Sequence, residues 1–229
     1  MTVSAPGMAP FRTETDPQAE SIRVAVVRFD RSDDRPGLVV DNQYGGSGGI
    51  LTVFALVPDR DGYRRVDLQR ATWLEGEIAD NPTDLSGDGR VDFVLEDGRF
   101  DGVFGCNACT PRPPVVLSVQ DGRSVELSYD PSVRPVFERH LAQVRPVCLS
   151  SQADRNGACA AYVADAARLG RLRQAWAEML AHHDHRQSDW LDRCRAPSVA
   201  NTCPIGYGPP FRSFPEALKA FLRRSGYLT

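Results

Sequence analysis

The stretch Asp84–Leu95, DLSGDGRVDFVL, sets three aspartates and a serine at alternate positions, interrupted only by Arg90, and then turns abruptly apolar. Asp84, Ser86, Asp88 and Asp92 stand at positions 1, 3, 5 and 9, and Arg90 at position 7 offers its backbone carbonyl. Calcium, a hard cation, takes six to eight oxygens, and one tightly coiled loop can supply most of them. Gly87 and Gly89 permit the left-handed backbone that such a coil requires. Three carboxylates packed so closely repel one another unless a cation lies between them. The spacing therefore predicts one Ca2+ site with Asp84, Ser86, Asp88, Arg90 (through its carbonyl) and Asp92 as ligands. The bland alternative is an acidic turn that joins two strands and binds nothing. An EF-hand does not fit: Leu95 stands where that motif needs a bidentate glutamate, and DFVL is strand-like where it needs a helix.

The six cysteines are the second source of chemistry: Cys106, Cys109, Cys148, Cys159, Cys194 and Cys203. Their even number and their spacing as three sequential pairs suggest disulfides and an oxidising compartment. The CNAC pair, Cys106 and Cys109, has three readings: a small structural disulfide, half a zinc site, or a thiol-redox centre. A redox thiol needs a helix N-terminus, which the following TPRPP prevents, and the other two pairs are spaced too loosely to complete a zinc site. The structural disulfide leads, and a thiol-redox enzyme is kept as an alternative. In HHDH, His182 and His185 could share a helical face and chelate a transition metal, but a polar helix C-terminus is the simpler account. No Gly-x-Ser-x-Gly elbow is present, and YGGSGG at 44–49 lacks the lysine and following helix of a phosphate loop. It reads as a connection between strands.

Composition places limits on the function. The chain has 229 residues, 41% hydrophobic and 25% charged, with a mean hydropathy of -0.34, as ordinary globular proteins do. A formal net charge of -3 leaves no electrostatic footprint for nucleic acid or an anionic membrane. No apolar run approaches the roughly 20 residues that span a bilayer. The start, MTVSAPGMAPFRTETDPQAES, has neither a basic n-region nor an apolar h-region. Either the true start lies upstream, the chain is a mature form, or the cysteines stay reduced. The paired cysteines favour a periplasmic or secreted location.

The elements that must carry these groups read as an α+β protein, β first and then α. Residues 1–20 are rich in Pro, Ser, Thr and acids and read as a flexible head. From 21 to 130 come the strand-like runs IRVAVVRF, GLVV, ILTVFALV, RVDFVL and PVVLSV, and VVLSVQDGRSVELSY reads as a hairpin turning at Asp121–Gly122. From 131 to 229 the spacing is helical, beginning with Asp130 as a cap before Pro131 and with a break or bend near Gly170. Ser213 and Glu216 propose a capping box, with Gly226 at the C-terminal stop. The Pro- and Gly-containing stretch 195–212 should be a loop, tied by Cys194–Cys203.

A short internal repeat ties the two ends of the β region together. DRSDDRPGLVV from Asp30 aligns with DLSGDGRVDFVL if one residue is deleted, so that Asp30, Ser32 and Asp34 match Asp84, Ser86 and Asp88. At the last acidic position the earlier copy has Gly37 where the later one has Asp92, so the full ligand pattern is kept only in the later copy. The run Asp84–Leu95 resembles the calcium loop of FG-GAP/VCBS-type repeats, found in integrin-α-like β-propellers, and the resemblance covers roughly residues 21–120. It implies a non-catalytic calcium-stiffened scaffold for extracellular recognition of a protein or surface ligand. Two repeats cannot close a propeller of four or more blades, so an open antiparallel sheet or small sandwich is expected. DHRQSDWLDRC is similar to the last helix of lysozyme-inhibitor-like periplasmic proteins, which points to the periplasm. A periplasmic inhibitor or adaptor acting through the helical domain is kept as a further alternative.

Overall fold

The computed structural model describes residues 1–4, 6–7, 9–45, 50–60, 62–68, 74–75, 82–106, 110–153, 155–187 and 211–228. The architecture of these residues is α+β, with antiparallel sheets in one compact unit and four helices in the other. The units are Met1–Gly98 with Pro114–Pro135, and Arg99–Pro113 with Val136–Thr229. This division departs from a single boundary at 130, because Arg99–Pro113 joins the helical unit. There the rings of Phe100 and Phe104 stand edge-on to Phe214, Phe221 and Tyr227, and aromatic burial of that size outweighs sequence order.

The first unit repeats one supersecondary element. After the short pair β1 (Thr2–Val3) and β2 (Phe11–Arg12), strands β3 (Ser21–Val27), β4 (Gly37–Tyr44), β5 (Ile50–Asp59) and β6 (Gly62–Asp67) form an antiparallel meander in that order. Strands β7 (Leu74–Glu75), β8 (Asp92–Asp97), β9 (Pro114–Gln120) and β10 (Arg123–Glu126) form a second one. The two acidic loops fall at the same place in each meander, between its first and second strands. Phe29, Val39, Val53, Ala55 and Val66 from the first sheet share a core with Phe93, Leu95, Val115, Leu117 and Val119 from the second.

Residues 1–20 do not behave as the flexible head expected from their composition. β1 pairs with β2, the terminal amine donates to the Thr13 carbonyl at 2.9 Å, and Val3 and Phe11 pack on Val40, Phe54, Leu56 and Tyr63. Both faces of β4 and β5 are therefore covered, which explains why ILTVFALV reads as a continuous apolar run rather than an alternation. The Asp121–Gly122 turn is as expected: both residues have positive φ, 50° and 69°, and Gln120 pairs with Arg123, the geometry of a two-residue hairpin loop.

In the second unit, helices α1 (Arg134–Cys148), α2 (Arg155–Arg168), α3 (Leu172–His182) and α4 (Phe214–Arg224) enclose one core. The Asp130 carboxylate caps a 3-10 turn over Pro131–Val133, accepting from the Ser132 amide at 2.8 Å, so that α1 starts one turn later. Gly170, φ 73°, separates α2 from α3 as a true break. Alanines at 158, 160, 161, 164 and 166 allow α2 to be buried on nearly every side. On α4 the buried positions Phe214, Ala217, Leu218, Phe221 and Leu222 form one apolar stripe. Its expected capping box is replaced by a shifted contact: Ser213 makes no side-chain cap bond, and Glu216 accepts from the amide of Arg212, one residue before the cap, at 2.9 Å. Its end is a Schellman motif, with Tyr227 N bonded to the Leu222 carbonyl and Gly226 N to that of Arg223. No helix among the described residues is long and apolar enough to cross a membrane.

Candidate metal centre

The loop 84–92 coils as its glycines require, with Gly87 at φ 78° and Gly89 at φ 89°. The backbone amides turn inward and are taken up by the aspartates. Asp84 accepts from Gly87 N through one oxygen at 2.7 Å and from Gly89 N through the other at 3.1 Å. Asp92, 1% exposed, accepts from Leu85 N at 2.9 Å and Ser86 N at 2.7 Å through the same oxygen, Oδ2. Its other oxygen, Oδ1, is buried without a hydrogen-bond partner, and so is the hydroxyl of Ser86. Two buried acceptor atoms without partners in one loop are costly, roughly 1–3 kcal/mol each. A hard cation among oxygens would remove that cost.

Asp84 and Asp88 stand in a different state, each beside a guanidinium. Arg31 lies 3.2 Å from Asp84 Oδ2, and Arg90 lies 3.2 Å from Asp88 Oδ2 and 3.5 Å from Asp30 Oδ2. Asp88 also accepts from the Arg90 amide at 2.8 Å. Among the described residues, no three His, Cys, Asp or Glu side chains are gathered into a cluster that could hold an ion as they stand. The five expected ligands thus share one loop, but only Asp92 and Ser86 present buried oxygens without partners.

The two acidic loops meet. Arg31 N donates to the Gly89 carbonyl at 2.9 Å and Val91 N to the Phe29 carbonyl at 3.0 Å, making Asp30 and Arg90 a bridged antiparallel pair. Because the flanking residues carry both bonds, the carbonyl of Arg90 is turned away from the first loop. In the first loop the acids are spent locally. Asp30 accepts from both the hydroxyl and the amide of Ser32, and these bonds hold its carboxyl below the usual range. Asp33 is lowered by its hydrogen bonds from Arg35. Gly37 opens β4 as Asp92 opens β8, and a Cβ there would lie 2.4 Å from the Phe29 ring and 2.7 Å from the Leu56 carbonyl.

The other expected site residues lie elsewhere. Cys148 and Cys159 form a disulfide between the end of α1 and the start of α2. Cys106 is disulfide-bonded, while Cys109, Cys194, Cys203, most of DHRQSDWLDRC and the stretches 46–49 and 195–210 lie outside the described residues. The helix ends at His182, so His182 and His185 do not share a helical face. Instead His183 is buried, its ring 4.0 Å from that of His185, and burial lowers its pKa. Sequence reasoning missed two polar pairs of the helical unit. The Nδ1 of His140 lies 2.6 Å from the wholly buried Asp165, whose pKa burial raises. Arg145 donates to Glu178, which also accepts from Tyr162, and its pKa is pulled from 4.5 to about 2, chiefly by Arg145. Neither pair has a local sequence signal, since the partners sit on different helices. It also missed Arg31, although the repeat placed it one position after the first acid.

Residues 137–226 match the family model of the sll0997 C-terminal domain. A probable thylakoid lumen protein, sll0997 of Synechocystis sp., is 32% identical over 151 residues, which is 63% of this chain and 43% of that protein. An uncharacterised protein of Sinorhizobium fredii, y4bJ, is 27% identical over 216 residues, 90% of this chain and 32% of that protein. No solved structure matches. The helical part is thus similar to a named domain, and the chain spans less than half the length of either curated relative.

Proposed function

We propose that the protein is a non-catalytic structural or recognition module, built on two FG-GAP-like repeats and stiffened by one calcium ion, that acts outside the cytoplasm. The observation that carries this reading is the pair of buried oxygens without partners, Asp92 Oδ1 and Ser86 Oγ, in a loop already coiled by its own amides. Asp84, Ser86, Asp88, the Arg90 carbonyl and Asp92 would be the ligands. Affinity should lie in the roughly 10⁻⁴ to 10⁻³ M range of extracellular calcium modules. The Cys148–Cys159 disulfide and a relative named for the thylakoid lumen support an oxidising, extracytoplasmic setting. The partner would be a protein or surface ligand met by the stiffened sheets.

Thermal unfolding in calcium, in chelator and in magnesium tests the assignment. At about 10 mM calcium the affinity above corresponds to roughly 1.4–2.7 kcal/mol of stabilisation, several degrees in Tm, with magnesium ineffective. Asp88→Ala should abolish the response. An unchanged calcium shift in that variant, or none in the natural protein at 10 mM, would overturn the reading.

A further inference from the structure

The guanidinium paired with Asp84 comes from the first loop, where Gly37 stands in place of Asp92. We propose that the first loop regulates the second: Arg31 acts as a competing cation that neutralises Asp84 when calcium is absent and lowers the calcium affinity of the site. This rests on the calcium reading above and concerns its regulation.

Three observations carry it. Arg31 lies 3.2 Å from Asp84 Oδ2, the same oxygen that accepts from Gly89 N, so its positive charge stands directly against that oxygen. Asp84 Oδ1 accepts from Gly87 N, so both oxygens of the carboxylate are already held by loop amides. Arg31 and an incoming calcium therefore compete for the negative charge of Asp84. Next is the charge: Asp30, Asp84, Asp88 and Asp92 contribute -4, and Arg31 and Arg90 return +2, so the two cations halve the charge that meets an incoming ion, to -2. Finally, Arg31 is placed by its main chain. The bonds Arg31 N to Gly89 O and Val91 N to Phe29 O keep the two loops in register whatever side chain stands at 31. The guanidinium is 75% exposed, free to leave and return without disturbing packing.

The chemistry sets the direction and size of the effect. A unit charge about one carboxylate's width from a divalent ion, largely in water, opposes binding by about 10-fold at low ionic strength and fades within a Debye length as salt rises. Calorimetric calcium titrations of the natural protein, Arg31→Gln, Arg31→Lys and Asp92→Ala, at low salt and at high salt, test it. Arg31→Gln should bind about 10-fold more tightly at low salt, Arg31→Lys should stay close to the natural protein, and the gap should close to about 2-fold at high salt. Equal or weaker binding by Arg31→Gln, with binding still abolished in Asp92→Ala, overturns the regulation and leaves the calcium site standing. Absence of binding in the natural protein and in Arg31→Gln alike removes the site itself, and the regulation with it. Binding that becomes measurable only in Arg31→Gln supports the competition directly.

Discussion

The two acidic loops are copies of one element that met different neighbours. Both begin with Asp-x-Ser, both join the first and second strands of a four-stranded meander, and they bond to each other through Asp30 and Arg90. In the second loop, Thr83 precedes the first aspartate and the strand opens on Asp92. The first loop has Phe29 and Gly37 at these positions. Phe29 is 5% exposed and packs on Phe93 in the shared core, and its ring fills the space a side chain at 37 would need. One copy has therefore put an aromatic ring where the other keeps a carboxylate. A repeat can keep its fold while trading a carboxylate for core, because the strand pairing needs only backbone.

Restoring the missing acid is the harshest way to challenge that contrast. Gly37→Asp should cost about 3 kcal/mol, combining overpacking against Phe29 with a buried charge, and should leave the calcium response unchanged. Urea unfolding with and without calcium measures both, and a stable Gly37→Asp variant with a second calcium equivalent would break the contrast. Removing the acid from the other copy should act less on stability and more on binding. Asp92→Ala leaves the amides of Leu85 and Ser86 without their acceptor, costs about 2 kcal/mol, and should erase the calcium-dependent rise in Tm.

Ser86→Ala sharpens the point through its sign. In chelator, removing a buried hydroxyl without a partner should stabilise the protein by about 0.5–1 kcal/mol, whereas in calcium the lost ligand should weaken binding. Melting curves of this variant should therefore lie above the natural protein in chelator and lose that advantage in calcium. The smallest effect belongs to the first loop. The carboxyl of Asp33 is held below its ordinary value of 3.8, chiefly by its bonds from Arg35, so its contribution is present above that pH and lost as the pH falls below it. With the pair near the surface, the difference in acid-induced loss between the natural protein and Asp33→Asn should be about 0.3 kcal/mol by denaturation at pH 7 and pH 3.

Much of the fold was legible because its signals are local. The Asp121–Gly122 turn, the Schellman end at Gly226 and the break at Gly170 depend on single residues that tolerate positive φ, and all three stand where the sequence places them. Cys148 and Cys159 pair as neighbours in sequence. The order in residues 1–20 is hidden from a local window because their composition is polar, while their few apolar residues, Val3 and Phe11, find a distant sheet face. The capping box failed for a related reason: Glu216 reaches the amide of Arg212, one residue earlier than the motif assumes.

The sequence by itself determined the β-then-α order, the turn chemistry, the repeat and the oxygen-rich loop, because each is written in local spacings along one segment. Only the tertiary structure decided that Arg99–Pro113 belongs with the helices, that Phe29 closes the first loop, that Arg31 stands against Asp84 and that His140 meets a buried Asp165. These are contacts between distant segments, settled by which apolar surfaces pack and which charges are then left facing each other.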